Sequence, residues 1–137
     1  MLQAIYVIDR NNGICLAGYE IVQQVQSGDI MAGFFLSALE FANVQFNCSI
    51  EQINAEEKVI VFHEGDTLVL AGIIEKTDSP RAARMFLEDI ERDFLSQYRQ
   101  HVENYRGNVT EFRSFDPRKT LENLVYQRII EESLAVL

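Results

Sequence analysis

The side chains with most catalytic potential in this sequence are two histidines and an aspartate beside a turn. His63 ends an apolar run and His101 lies in a helical one, and neither has a histidine or cysteine at metal-ligand spacing. Asp9 precedes Asn-Asn-Gly, where an aspartate usually accepts hydrogen bonds from the N–H groups of the turn. An enzyme would need a pocket that gathers Asp9, His63 and another carboxylate. Because the spacing does not predict that pocket, we expect no catalytic site, no bound metal and no cofactor.

The usual signatures of catalysis and nucleotide binding are also missing from the sequence. It contains no nucleophile elbow, phosphate-binding glycine-rich loop or dinucleotide fingerprint. The abundant carboxylates of the long helical segment fall opposite its apolar stripe, which is typical of a solvated face. Cys15 and Cys48 lie in apolar, strand-like runs, so we expect two buried free thiols.

Charge and hydropathy disfavour several classes of partner. The net charge of −9 disfavours nucleic-acid binding and direct docking on anionic lipid, since both require a basic surface. We find no signal peptide, no lipidation motif and no apolar stretch that reaches the ~18 residues of a membrane span. The expected location is therefore the cytoplasm, with peripheral membrane association only through a partner.

Hydrophobic periodicity predicts the element order β-β-α-β-β-β-α-α. The predicted strands are residues 2–9, 14–22, 46–54, 58–63 and 67–75, with a hairpin turn at Asn12-Gly13. The predicted helices start at Ser27-Gly28-Asp29, at Pro80 and at Asp116-Pro117, and the first two end near Asn43 and Tyr105. Strands 2–9 and 67–75 are apolar on both faces. We therefore expect an α+β fold in which a five-stranded antiparallel sheet has helices on both sides.

The first helix carries more apolar surface than one sheet needs. Its polar stripe is thin, consisting of Asp29, Ser37 and Glu40 beside Gly33. Such a helix is buried on more than one side, so a partner or another segment should cover part of it. The candidate interaction surface is this helix with the third strand, and its residues are Met31, Phe34, Phe35, Ala38, Phe41, Phe46, Cys48 and Ile50.

The opening MLQAIYVIDRNNGICL and the order of elements over the whole chain, residues 1–137, resemble the longin domain. The resemblance implies one domain with sheet order 2-1-5-4-3, the first helix on one face and the last two helices on the other. Longins are not enzymes. They bind proteins through the first helix and neighbouring strand edges, often pairing with a second longin or roadblock domain.

The resemblance also implies a function. This chain would form a homodimer or a heterodimer through its first helix and a strand edge, and would serve as a platform or regulator for a small GTPase in vesicle or membrane trafficking. The alternative is a PAS-like sensor domain, in which the apolar first helix covers a cavity for a small molecule.

Overall fold

A computed structural model describes residues 2–104 and 116–136 of the protein, and the side chains of residues 2–99 and 116–129. Its strands are β1 (Ala4–Asp9), β2 (Cys15–Glu20), β3 (Gln52–Asn54), β4 (Lys58–Glu64) and β5 (Leu68–Glu75). Its helices are α1 (Gly28–Phe46), α2 (Pro80–Asn104) and α3 (Pro117–Val136). The predicted order of elements is confirmed. The end predicted for the second helix, at Tyr105, lies outside the described residues.

The five strands form one antiparallel sheet in the order β2-β1-β5-β4-β3, as predicted. The two strands with apolar residues on both faces, β1 and β5, are neighbours at its centre, and Ile5 lies opposite Gly72 in their register. The hairpin between β1 and β2 turns at Gly13, whose φ of 73° is in the left-handed region that glycine favours. A strand sequence with apolar residues on both faces therefore identifies the middle of the sheet.

Short polar side chains start the helices where the sequence places them. The Ser27 hydroxyl accepts a hydrogen bond from the N–H of Ile30 at 3.4 Å, and the Ser79 hydroxyl accepts one from Ala82 at 3.1 Å. Each bond satisfies an N–H group that the first turn of a helix leaves without a backbone partner. These caps fix where α1 and α2 begin.

One face of the sheet packs against α1 through aromatic rings. Phe35 of α1 is wholly buried, and its ring centroid lies 6.2 Å from that of Tyr6 on β1 and 5.4 Å from that of Phe62 on β4. Ala32 and Leu39 are buried on the same side of α1. Because these residues are three and four positions apart, they lie on one side of the helix, the side that faces the sheet.

The opposite face of the sheet meets the start of α2 at Gly72. A Cβ atom at this position would lie 3.4 Å from Leu87 of α2, 3.4 Å from Val61 and 3.3 Å from Leu2. The expectation that residue 72 is glycine because a helix packs closely there is confirmed. The resemblance places the second helix on the face of the sheet opposite α1, and the start of α2 lies on that face.

We expect Gly72→Val to lower the free energy of unfolding by about 1–3 kcal/mol, because the added methyl groups must displace packed side chains. Gly33→Ala on α1 is the control, since a Cβ there meets nothing within 4 Å. Removing a helical glycine should raise the free energy of unfolding by up to about 1 kcal/mol. Urea denaturation followed by circular dichroism measures both changes. A Gly72→Val variant as stable as the wild type would contradict this packing.

Residues 1–88 and 89–137 form two compact units. In the second unit, Arg128 of α3 donates a hydrogen bond to Asp93 of α2 at 2.6 Å and pairs with Asp89 at 3.6 Å. The Phe94 and Tyr98 rings stack at 6.3 Å. The single domain expected over residues 1–137 stays a prediction.

The boundary between α1 and β3 differs from the prediction. The strand expected at 46–54 is reduced to Gln52–Asn54, and α1 runs three residues past Asn43 to Phe46. The helix ends at Asn47, which has a φ of 53° and donates its N–H to the carbonyl of Asn43 at 3.1 Å. A left-handed residue of this kind is a usual helix stop, and asparagine tolerates it. Phe46 and Cys48 therefore do not belong to an inward-facing strand.

Candidate protein-interaction surface on the first helix

Helix α1 has two apolar sides. The row that includes Phe35 is buried against the sheet, while a second row faces solvent. We call this second row the α1 stripe; it consists of Ile30, Phe34, Phe41 and Val44, which are 59%, 57%, 60% and 80% exposed. Their spacings of four, seven and three residues place them along one side of the helix. The excess apolar surface expected from the sequence is therefore an exposed stripe.

The predicted site residues fall into three groups in the structure. Phe34, Phe41, Phe46 and Cys48 are exposed, and the Phe46 ring lies edge-on to that of Phe41 with centroids 5.7 Å apart. Met31, Ala38 and Ile50 are half-buried, and Met31 and Ile50 pack against the core. Phe35 is wholly buried and supports the surface from beneath.

Both cysteines differ from the expectation of buried thiols. Cys48 is exposed and Cys15 is half-buried, and each is a thiol rather than part of a disulfide. Cys48 follows the left-handed cap of α1 rather than lying in a strand, which leaves its side chain in solvent. Its thiol donates to the carbonyl of Phe46 at 3.2 Å.

Two residues of the α1 stripe were not among the predicted site residues. Ile30 lies four residues before Phe34, so helical spacing could have added it to the set. Val44 lies beyond the predicted end of the helix, and the early end removed it from the periodic pattern. Val44 joins the row once α1 is extended to Phe46.

The α1 stripe has the size of the apolar part of a protein interface. With Phe46, its exposed side-chain area sums to roughly 500 Å². A standard interface buries about 800 Å² per partner, of which roughly 450–500 Å² is apolar. An open groove of about 300 Å³, lined by Ser37, Glu40, Phe41, Val44 and Gln45, runs beside the stripe. Its openness suits side chains of a partner better than a small ligand, which a pocket normally encloses.

A hydrogen-bond chain secures the loop that leads into α1. The hydroxyl of buried Tyr6 donates to Glu20 Oε1 at 3.0 Å, and Glu20 Oε2 accepts the N–H of Gln24 at 3.3 Å. A Cβ at Gly28, the first residue of α1, would lie 3.7 Å from the Tyr6 ring. Tyr6 therefore packs against α1 with its ring and stabilises the segment before α1 through its hydrogen bond to Glu20.

The buried Tyr6 phenol should make stability fall at alkaline pH. Burial, together with the hydrogen bond to Glu20 and its charge, raises the pKa of Tyr6 well above the ordinary value. The folded protein keeps this proton where the unfolded chain loses it, so the stability present below about pH 10 is lost as the pH rises further. We expect the urea midpoint to fall more steeply from about pH 9 to about pH 11 in the wild type than in Tyr6→Phe. Parallel falls in the two proteins would contradict this role.

Of the residues considered for catalysis, Asp9 stabilises a turn, and His63 lies on a different strand, away from Asp9. One carboxylate oxygen of Asp9 accepts the N–H groups of Asn11 at 2.8 Å and Asn12 at 3.2 Å, which confirms it as a turn residue. His63 lies on β4, which is two strands away from β1, so roughly 10 Å of sheet separates it from Asp9. Within the described residues, no three acidic, histidine or cysteine side chains group as a metal site would require. The side chain of His101 lies outside the described ones.

No helix among the described residues combines the length and apolar content that crossing a bilayer requires.

Comparison with known proteins gives matches among solved structures alone. MglB of Myxococcus xanthus superimposes with a TM-score of 0.52 at 13% identity, over 64% of this chain and 76% of that one. A roadblock/LC7 domain from Streptomyces avermitilis has a TM-score of 0.48 at 12% identity, over 59% of this chain and 72% of that one. MglB from Thermus thermophilus also has a TM-score of 0.48, at 16% identity, over 57% of this chain and 64% of that one. No protein-family model and no curated protein matches. The Myxococcus protein shares the fold, and the longin-like fold expected from the sequence is confirmed.

Proposed function

We propose that this chain is a non-catalytic, longin-type interaction module. It pairs with another copy of itself, or with a related longin or roadblock subunit, through α1 and the edge of the sheet at β3. The pair acts as a platform or regulator for a small GTPase in vesicle or membrane trafficking. Residues 1–137 act as one domain, in the cytoplasm, and reach membranes only through a partner.

The α1 stripe is the observation that carries this proposal. An apolar patch of roughly 500 Å² is at the size where exposed patches on monomers are often functional. Its three exposed aromatic rings, Phe34, Phe41 and Phe46, have the chemistry enriched at the centres of interfaces. Beyond them, β3 is the edge strand of the described sheet and pairs there with β4, and an edge strand can pair with a strand of another chain.

The small GTPase enters the proposal through the longin resemblance. Paired longin and roadblock domains commonly present a joint surface to GTPases, and the fold shared with MglB agrees with that family of architectures. A catalytic role receives no support from Asp9, which is engaged in its turn. The PAS-like alternative needs a cavity beneath α1, where the rings of Tyr6, Phe35 and Phe62 pack together.

A binding screen with purified proteins tests the proposal. Longin and roadblock subunits from the same organism, and its small GTPases loaded with GDP or a non-hydrolysable GTP analogue, are passed over the immobilised chain. We expect saturable binding of one longin or roadblock subunit, or of a second copy, at micromolar Kd or tighter. The resulting pair should prefer one nucleotide state of a GTPase by at least about tenfold, which is ~1.4 kcal/mol. Absence of any such binding would overturn the proposal.

A further inference from the structure

Positive charge is absent from the part of the chain that builds the α1 surface. Residues 11–57, which contain β2, α1 and β3, include no lysine, arginine or histidine. The same segment carries six carboxylates: Glu20, Asp29, Glu40, Glu51, Glu56 and Glu57. The segment that builds the α1 stripe therefore carries negative charge and no cation of its own.

The negative charge lies beside the α1 stripe itself. Glu40 lines the groove next to Phe41 and Val44, and Asp29 is in the first turn of α1. The last turn of α1 has no basic residue, so no cation of that turn offsets the partial negative charge of its carbonyl end. The exposed faces of the phenylalanine rings add attraction for cations, which are drawn to aromatic π-systems.

This charge pattern bears on the identity of the partner. Pairing of two copies about a two-fold axis brings the same patch from each side, so the carboxylates of each copy would meet no cation from residues 11–57 of the other. Like charges opposed across an interface weaken the pairing. A partner with an apolar row bordered by lysine or arginine would pack its apolar residues on the stripe and pair its cations with the carboxylates beside it.

The dimensions of the stripe favour a helix as the bound element. From Ile30 to Val44 the stripe rises over roughly 21 Å, or about four helical turns. A docked helix can match it with side chains at positions i, i+4 and i+7. The edge strand β3 has three residues and offers few backbone bonds to an extended peptide.

We propose that the α1 stripe receives an amphipathic helix of another protein, with an apolar row flanked by lysine or arginine. This inference rests on the proposed function and names the chemistry of its partner. The favourable contacts are apolar along Phe34 and Phe41, and ionic at Glu40.

Two synthetic helical peptides of about 18 residues test the inference. Both carry the same leucine row, flanked by lysine in one and by glutamate in the other. Calorimetry at low salt should show the lysine peptide binding at least about tenfold more tightly to the wild-type chain. Phe34→Ala combined with Phe41→Ala should weaken that binding by at least about tenfold, since it removes the apolar contact.

Charge-neutral variants separate local attraction from the overall negative charge. Glu40→Gln, beside the stripe, should weaken the lysine peptide several-fold. Glu88→Gln is the control, because Glu88 is exposed on the part of α2 that packs on the other face of the sheet. Equal weakening by the two variants, or equal binding of the two peptides, would overturn the inference.

The outcome distinguishes this inference from the proposed function. If the phenylalanine variants abolish pairing with a longin or roadblock protein while the lysine peptide shows no preference, the cationic helix is wrong and the interaction module stands. If those variants leave every association of the chain intact and the lysine peptide does not bind, both proposals fail.

Discussion

Replacing Phe35 with alanine is expected to lower the free energy of unfolding by about 3–5 kcal/mol, a large part of the stability of a small protein. The Phe35 side chain is wholly buried, and its ring contacts those of Tyr6 and Phe62 at centroid distances of 6.2 and 5.4 Å. Alanine would remove the transfer free energy of the ring and leave a cavity between α1 and the sheet. Urea denaturation followed by circular dichroism measures the change.

Phe34→Ala is the matched control for this prediction. Phe34 is the preceding residue of the same helix and undergoes the same substitution, but 57% of it is exposed. We expect a loss of about 1 kcal/mol or less, because the Phe34 ring is mostly in solvent and its described ring contact is the edge-on one with Phe35, at 5.9 Å. Similar losses at positions 34 and 35 would show that α1 does not lie on the sheet in the orientation described.

Replacing Phe34 and Phe41 together with glutamate is expected to weaken pairing by at least about 100-fold. Each substitution removes an aromatic ring from the centre of the α1 stripe and places a charge where a partner would exclude water. An unpaired charge at that position carries a large desolvation cost. Biolayer interferometry with the partner found in the binding screen, or sedimentation velocity if the partner is a second copy, measures the loss.

Met85→Glu is the control for the pairing experiment. Met85 lies on α2 and is 57% exposed, the same fraction as Phe34, so it tests the addition of charge at an equally exposed apolar position. We expect Met85→Glu to leave the affinity unchanged within about twofold. Equal losses for the two variants would place the interface elsewhere or indicate a general effect of added negative charge.

The sequence predicts the sheet well because burial of both strand faces is visible in the residue pattern. β1 and β5 are apolar at successive positions, and the structure places them as neighbours at the centre. The turn at Asn12-Gly13 and the caps at Ser27 and Ser79 are local signals whose physical cause lies within a few residues. These features need no knowledge of distant contacts.

The end of α1 could not be predicted from local signals of this kind. Val44, Gln45 and Phe46 suit a strand by side-chain type, and they also continue the helical row. The helix ends where Asn47 adopts a left-handed conformation, and no short sequence signal separates this stop from the one expected at Asn43. The misplaced end shortened the candidate surface by one residue, Val44.

Exposure within the candidate site also depended on tertiary structure. Phe34 and Phe35 are adjacent and chemically identical, so residue type alone does not show which of the two side chains is exposed. One helical step of about 100° turns Phe35 into the core and Phe34 towards solvent. The sequence indicated an excess of apolar residues on α1, and the orientation of α1 on the sheet decided which of them form a surface.

Site-specific photo-crosslinking shows whether the α1 stripe contacts another protein. A benzophenone amino acid is introduced at Phe34 in one protein and at Met85 in another, two positions of equal exposure. After mixing with the partner and irradiation, a covalent adduct should form from position 34 and not from position 85. An adduct from position 85 alone would contradict contact through the α1 stripe.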